Sequence, residues 1–250
     1  MTNQQFRITF TADNESRMIF PIGDEQVRGG HKPFFSYLLI GINVAVFMFQ
    51  LTIAPAYQES FVQTYGVIPA EITAGQDYYT LFTNIFLHGG WMHLIGNMLF
   101  LWVFADNIEA VIGRFRFLLF YFGGGLAATL THIAFNLHSH VPAIGASGAI
   151  SAVLGAYLVM FPASTVKVYV LILFRSFYMP ALFFLGIWAV QQLINGFISI
   201  VPFSAYTSGV AWWAHIGGFI FGMVIGYGIR RRYEKAGIDT RGHFSPRDLV

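Results

Sequence analysis

The sequence predicts an all-α membrane protein, a bundle of six transmembrane helices. Of its 250 residues, 56% are hydrophobic and only 10% are charged, whereas a soluble domain carries roughly 25% charged residues. The chain also contains apolar runs near the length of about 20 residues that a helix needs to cross a bilayer. These runs cover residues 34–54, 84–105, 117–137, 145–161, 180–200 and 212–229.

Two parts of this pattern are less regular than the rest. The fourth run, 145–161, would span only about 25 Å as a helix, short of a hydrocarbon core of about 30 Å. The segment between the fourth and fifth runs, VKVYVLILFRSFYMP, is apolar but contains Lys167 and Arg175. Because Arg175 would be costly at mid-bilayer, we interpret this segment as an interfacial loop rather than a seventh span.

The basic residues that flank the runs predict the orientation of the bundle. Six spans place both ends of the chain on one side, and cytoplasmic loops carry an excess of Lys and Arg. The basic residues that fall on this side are Arg28, Lys32, Arg114, Arg116, Lys167, Arg230, Arg231 and Arg232. We therefore expect both termini in the cytoplasm, with a polar segment 1–33, a helical domain 34–229 and a basic tail 230–250. The first 30 residues lack the basic stretch followed by an apolar stretch that is typical of a cleavable signal peptide. We expect the protein in a bacterial inner membrane.

Composition excludes several kinds of function. The chain has no cysteine, which excludes disulfides, thiolate catalysis and Cys-ligated metal. A net charge of +2 is too small to indicate a nucleic-acid partner. His132, His138 and His140 lack a nearby carboxylate and a fixed helical spacing, so we expect no metal and no cofactor. The glycines at 123–125 lie inside a span, and we interpret them as close helix packing rather than a phosphate-binding loop.

Polar side chains inside the predicted spans are candidates for function, because the bilayer makes them expensive. The second run carries His93 and Asn97, the fourth carries Ser147 and the sixth carries His215. In the expected orientation each of these runs passes from the outer face inward, and each polar residue lies near its outer end. The four side chains should therefore lie at a similar depth, a few residues below the outer surface.

These residue types fit nucleophilic catalysis by a serine. A serine hydroxyl needs a neighbouring base to take its proton, and His215 is the obvious base for Ser147. No Asp or Glu occurs in residues 117–232, so the pattern indicates a Ser-His dyad rather than a triad. His93 and Asn97 lie four residues apart on one helical face. Both could donate hydrogen bonds to an oxyanion, alongside the backbone N–H of the serine.

Small residues near the serine and the histidine predict a close approach of the fourth and sixth helices. Gly145 and Gly148 would let backbone and substrate come close to Ser147. In the sixth run, Gly218 and Gly222 form a small-xxx-small pair. Two faces of this kind should place the serine hydroxyl within hydrogen-bond reach of the histidine.

Five sequence motifs that contain or flank these residues carry a resemblance to a known family. They are GASG, HLIGN, AHIGGFIFG, EAVIGRFRF and the start of the fifth run, PALFFLGIW. Together with MIFPIGDEQ before the first run, they resemble the rhomboid intramembrane serine proteases over residues 18–232. The resemblance implies a six-helix bundle with a Ser-His dyad that cleaves transmembrane substrates. It assigns the nucleophile to Ser147, the base to His215 and the oxyanion donors to His93 and Asn97.

The resemblance also implies a substrate gate and reveals one departure. The gate would consist of the fifth helix and the outer loop 198–211. Many relatives have an aromatic residue four positions after the serine that stacks on the histidine, whereas this chain has Ser151. We expect another residue, such as an aromatic from a neighbouring helix, to replace the missing aromatic and to hold His215 in position.

Alternative functions stay open at this point. The first hypothesis is an endopeptidase whose partners are the lipid bilayer and single-span proteins that enter from it. A small-solute transporter also contains polar intramembrane residues, but it should show charged residues or paired broken helices in its spans. A catalytically inactive relative that binds membrane proteins should lack the serine or the histidine.

His93 and Asn97 could instead stabilise helix packing, and we expect His88 to brace the outer loop.

Overall fold

The computed structural model describes residues 19–26, 31–200 and 210–235. Five of its helices are long and apolar enough to cross a membrane, and a sixth apolar helix is shorter. In chain order the helices are α1 (Phe35–Thr52), α2 (Pro55–Tyr65), α3 (Pro69–Thr73), α4 (Thr80–Thr83), α5 (Trp91–Ile112), α6 (Arg114–Phe135), α7 (Ser147–Met160), α8 (Ala181–Ser199) and α9 (Trp212–Lys235).

The helical membrane bundle predicted from the sequence is confirmed. Helices α1, α5, α6, α8 and α9 are the long apolar helices, and α7 is the shorter one. These six correspond to the six apolar runs. The side of the membrane that each end faces stays a prediction. Most of the expected N-terminal segment, residues 201–209 of the expected gate loop and most of the expected C-terminal tail lie outside the described residues.

The second transmembrane helix, α5, begins later than its apolar composition indicated. Residues Asn84–Phe86 form a turn of 3₁₀-helix, and α5 begins only at Trp91. The helix then continues to Ile112 and ends at Gly113, whose φ of 81° is in the left-handed region that favours glycine. His93 and Asn97 therefore lie in the first two turns of this helix.

A three-stranded antiparallel sheet accompanies the bundle, and the sequence analysis did not predict it. Strands β1 (Ile19–Asp24), β2 (Thr165–Val170) and β3 (Arg175–Pro180) lie in the order β1-β2-β3. The segment that we interpreted as an interfacial loop is thus a β-hairpin that joins α7 to α8. Along β2, Val166 and Val168 are buried while their neighbours are not, which is the alternation expected of a strand with one covered face.

Helix α7 is the centre of the bundle. Nearly all of its side chains are buried, and it packs against α5, α6, α8 and α9. With 14 residues it is about 21 Å long, so its two ends cannot both reach the surfaces of a hydrocarbon core of about 30 Å. A helix that is surrounded by protein in this way can begin below the membrane surface, with its first residue, Ser147, inside the bundle.

Candidate active site

Ser147 and His215 face each other across the contact between α7 and α9. Ser147 is the first residue of α7, and His215 lies in the first turn of α9. The distance from His215 Nε2 to Ser147 Oγ is 2.8 Å, although the two residues are 68 positions apart in the chain. Both residues are only half-buried. The structure therefore brings together the hydroxyl and the imidazole that the sequence analysis paired.

Glycines allow the two helix backbones to come this close. A Cβ added at Gly218 would overlap the carbonyl oxygen of Gly148, and one added at Gly222 would overlap the carbonyl oxygen of Ala152. On the other side of α7, a Cβ at Gly148 would lie 2.7 Å from the Cβ of Ala128 in α6. Three of the four glycines selected from the sequence thus lie where a side chain would push two helices apart.

His93 presents a hydrogen-bond donor next to Gly145, two residues before the serine. The backbone N–H of Gly89 donates to His93 Nδ1 at 3.4 Å, and a ring nitrogen that accepts leaves the hydrogen of a neutral imidazole on Nε2. That Nε2 lies 2.7 Å from the place that a Cβ would take on Gly145, whose φ is 122°. Gly145 therefore fits both a backbone conformation and a close imidazole contact that other residues would not tolerate.

Asn97 presents a second donor at the same place. Its side chain is buried, and its Nδ2 has no hydrogen-bond partner among the described residues. The Nδ2 lies 3.6 Å from the same Cβ position on Gly145, two residues before Ser147. An unpaired buried donor costs folding free energy. Such a group is available for an acceptor that appears only during a reaction, as an oxyanion does.

A small cavity opens beside Ser147. It has room of about 20 Å³, enough for roughly one water molecule, and Asn84, Thr129, His132 and Ala214 are among its lining residues. His132 thus lines the cavity. Within the described ranges, no group of three or more His, Cys, Asp or Glu side chains is arranged to hold a metal ion.

His88 connects the loop before α5 to α1. Its backbone N–H donates to Gln50 Oε1 at 3.1 Å, and its carbonyl oxygen accepts from Gln50 Nε2 at 3.2 Å. Burial lowers the pKa of the His88 imidazole to about 3. The ring therefore stays neutral near pH 7, 5.1 Å from the ring of His93.

The sequence analysis missed Gln192, whose side chain contacts the ring nitrogen of His215 that does not face Ser147. Gln192 Oε1 in α8 lies 2.8 Å from His215 Nδ1. The rings of Trp188 and Trp212 also flank the imidazole, with centroids 6.0 and 6.1 Å away. Ser151 does not contact the imidazole, since its hydroxyl donates to the Ser147 carbonyl oxygen at 2.6 Å. A polar amide inside an apolar span was a signal for Gln192, by the same rule that selected Ser147.

Comparison with known proteins agrees with this architecture. A family model described as "Rhomboid domain" matches residues 75–232. Rhomboid protein 1 of Saccharomyces cerevisiae, a mitochondrial protein, is 28% identical over 82% of this chain and 56% of its own length. Rhomboid protease GluP of Bacillus subtilis is 34% identical over 51% of this chain and 24% of its own length. For putative rhomboid protease YdcA of Bacillus subtilis, the identity is 39% over 35% of this chain and 43% of its own length.

The fold and the site define an integral, multi-pass membrane protein with a serine and a histidine paired inside its helical bundle. The chain belongs to the rhomboid family, because the family model matches more than half of it. It spans between 24% and 56% of the length of the three relatives named above.

Proposed function

We propose that this chain is an intramembrane serine endopeptidase, which hydrolyses peptide bonds in or near the transmembrane segments of other membrane proteins. Ser147 is the nucleophile and His215 is the general base. The observation that carries the proposal is the 2.8 Å separation of Ser147 Oγ and His215 Nε2. The donors of His93 and Asn97 beside Gly145 support it.

The first half of the reaction forms an acyl-enzyme. Ser147 Oγ attacks the carbonyl carbon of the substrate while its proton passes to His215 Nε2. The carbonyl oxygen becomes an oxyanion and accepts hydrogen bonds from His93 Nε2, Asn97 Nδ2 and the free N–H groups at the start of α7. The proton on His215 then moves to the amide nitrogen as the C–N bond breaks. One product leaves with a new amine, and the other stays esterified to the serine.

The second half of the reaction releases the acyl group. A water molecule attacks the ester carbonyl and gives a proton to His215 Nε2. The same donors hold the new oxyanion, and Ser147 Oγ leaves with the proton that His215 returns. A protease within a membrane must supply this water, and the cavity beside Ser147 has room for about one molecule.

The substrates that we propose are single-span membrane proteins that enter the site sideways from the bilayer. Their helix ends must unwind to expose a peptide bond, and Gly, Pro or polar residues near the cut favour that. The small residues on either side of Ser147, Ala146 and Gly148, favour a small side chain just before the cut.

We further propose a bacterial inner membrane with both ends of the chain in the cytoplasm, as the flanking basic residues indicate. The division into segments 1–33, 34–229 and 230–250 is part of the same proposal.

The test uses the purified full chain in detergent and in liposomes, with a fluorophosphonate probe and a generic single-span substrate. We expect the wild type to cleave the substrate and to bind the probe on Ser147, as identified by mass spectrometry. Ser147→Ala and His215→Ala should do neither. Ser151→Ala is the matched control, because it removes a serine hydroxyl one turn further along the same helix and should keep both activities. Equal labelling of the wild type and Ser147→Ala would overturn the proposal.

A further inference from the structure

The contact between Gln192 and His215 adds a third residue to the serine–histidine pair. We propose that Gln192 is a positioning residue that fixes the orientation and the tautomer of His215, in the place that a carboxylate takes in Ser-His-Asp sites. This inference rests on the proposed roles of Ser147 and His215. It names a residue from a third helix, α8, which those roles do not by themselves require.

The orientation of the Gln192 amide follows from its second hydrogen bond. Gln192 Nε2 lies 3.2 Å from the carbonyl oxygen of Trp188, one turn earlier on α8. A carbonyl oxygen can only accept, so the amide nitrogen must face Trp188 and the amide oxygen must face His215. The two ends of the amide are chemically different in this setting, and only one of its two flipped orientations satisfies both neighbours.

The tautomer of His215 follows from the orientation of the amide. Gln192 Oε1 lies 2.8 Å from His215 Nδ1 and can only accept, so Nδ1 must carry the hydrogen. The lone pair of the neutral ring is then on Nε2, which lies 2.8 Å from Ser147 Oγ. This is the tautomer that can take the serine proton. The other tautomer would leave the buried amide oxygen without a donor, and such an orphaned acceptor costs free energy.

The environment keeps the Gln192 amide in this position. The side chain is only 5% exposed, so water does not compete for its oxygen as it would at a surface. The Trp188 ring packs beside both the imidazole of His215 and the ring of Phe219, at centroid distances of 6.0 and 5.6 Å. Hydrogen bonds at both ends of a buried amide restrict its motion. Gln192, His215 and Ser147 thus form one hydrogen-bonded chain across α8, α9 and α7.

An amide suits this position better than a carboxylate for a physical reason. A carboxylate would orient the imidazole equally well and would stabilise the imidazolium that forms during the reaction. It would also place a charge inside a membrane-embedded bundle while the imidazole is still neutral, which is expensive. The amide oxygen supplies the geometry without that charge. Consistent with this, residues 117–232 contain no Asp or Glu.

The experiment compares two substitutions of Gln192 with one of its neighbour. Gln192→Leu removes the acceptor at a similar side-chain volume, whereas Gln192→Glu keeps an oxygen in place. Gln191→Leu is the matched control, because it makes the same change one residue earlier, about 100° around the helix. In the full chain in detergent we measure the rate at which Ser147 reacts with a fluorophosphonate. We also measure kcat and KM for a single-span substrate.

We expect Gln192→Leu to slow labelling and kcat by about 10- to 100-fold, because the histidine loses its preferred tautomer. KM should stay within about twofold, since Gln192 acts through His215 and not on the substrate. Gln191→Leu should stay within about twofold of the wild type in all three measurements.

Gln192→Glu separates a positioning role from a structural one. It should label faster than Gln192→Leu because it keeps an acceptor at Nδ1. The rescue should hold at every pH, because a carboxyl group keeps an acceptor oxygen whether or not it is ionised.

The outcomes distinguish this inference from the proposed function. A wild type that does not label at Ser147 would refute the proposed function itself. A wild type that labels, together with Gln192→Leu that behaves like Gln191→Leu, would refute only the role of Gln192. Should Gln192→Leu fail to fold, Gln192→Met decides, because it also lacks a strong acceptor at a similar volume, and labelling of that variant at the wild-type rate would overturn the inference.

Discussion

The carbonyl oxygen of Gly148 on α7 fills the space into which a side chain on Gly218 of α9 would project. Gly148 directly follows Ser147, and Gly218 lies three residues after His215. The contacting atom of Gly148 is a backbone oxygen, and Gly218 has no side chain. Neither residue can therefore relieve the contact by rotating a side chain. The separation of the two backbones at this point therefore determines the distance between the serine hydroxyl and the imidazole.

The first prediction concerns this contact. Gly218→Ala should push α9 away from α7, lengthen the 2.8 Å contact between Ser147 and His215 and lower kcat by about 100-fold, since misplacements near 1 Å cost that much. The measurement is kcat for a single-span substrate, alongside the midpoint of thermal unfolding. Gly228→Ala is the matched control on the same helix, because a Cβ there meets nothing within 4 Å. Equal activity of the two variants would show that the close contact is not required.

The second prediction concerns the unpaired donor of Asn97. Asn97→Ala should lower kcat by about 10²- to 10³-fold, because the oxyanion loses a donor. It should not lower the unfolding temperature much, because the Nδ2 makes no hydrogen bond among the described residues. Asn43→Ala is a useful control, since Asn43 is also fully buried in a transmembrane helix but donates to the Leu39 carbonyl. It should lose stability and keep its turnover. A kcat of Asn97→Ala close to the wild-type value would remove Asn97 from the catalytic groups.

The candidate site could be read from the sequence because its signals are local. Ser147, His215, His93 and Asn97 each stand out as polar residues in an apolar segment, and their positions within those segments place them at one depth. The glycines next to them also predict close contact from spacing alone. Residue type and helical period were therefore enough to nominate these groups, although neither gives a distance.

Some of the parts that were missed had local signals, whereas others depend on contacts between distant segments that no local pattern encodes. Residues 84–90, NIFLHGG, include a short apolar stretch that reads as part of the span, but the double glycine at 89–90 delays α5 until Trp91. The pairing of β1 could not be predicted because its partner strand is distant in the chain, whereas the β2–β3 hairpin is local and the alternation of Val166 and Val168 with polar neighbours was a signal for it. Gln192 is recognisable as a polar residue in a span, yet its contact with His215 depends on how α8 is rotated against α9.

The third prediction concerns Glu109, whose buried carboxylate holds the start of α1. One oxygen accepts from the N–H groups of Phe34 and Phe35, at 2.8 and 2.9 Å. The other accepts from the N–H and the hydroxyl of Ser36, at 2.8 and 2.6 Å. Helix α1 has no side-chain cap of its own at Phe34, so a carboxylate from α5 satisfies its first N–H groups.

Glu109→Ala should therefore lower the free energy of unfolding by about 2–5 kcal/mol, because several buried N–H groups lose their acceptor. Glu109→Gln should cost less, since it keeps one oxygen. Ser36→Ala removes a single hydroxyl from the same network and should cost about 1 kcal/mol. Thermal unfolding in detergent measures all three. Glu109→Ala as stable as Ser36→Ala would contradict this account of the α1 cap.

The fourth prediction concerns Asp24, at the end of β1. Its carboxyl group accepts hydrogen bonds from the hydroxyl of Tyr157 and from Asn107 Nδ2, which tie the sheet to α7 and α5. Burial, together with the nearby Asp106, raises the pKa of Asp24 from its ordinary value near 3.8 to about 7. The folded protein thus keeps the Asp24 proton to a higher pH than the unfolded chain does.

Stability should consequently fall as the pH rises from about 4 to about 7, by at most about 1.4 kcal/mol per pH unit from this group, and then level off. The decline has this sign because the unfolded chain binds fewer protons than the folded one in that interval. Asp24→Asn keeps an acceptor oxygen but cannot titrate, so its unfolding midpoint should be less dependent on pH and higher than that of the wild type at pH 8. The measurement is the thermal midpoint of both proteins from pH 4.5 to 8. Parallel curves would show that Asp24 does not titrate in this range, because its replacement would then have left the pH dependence of stability unchanged.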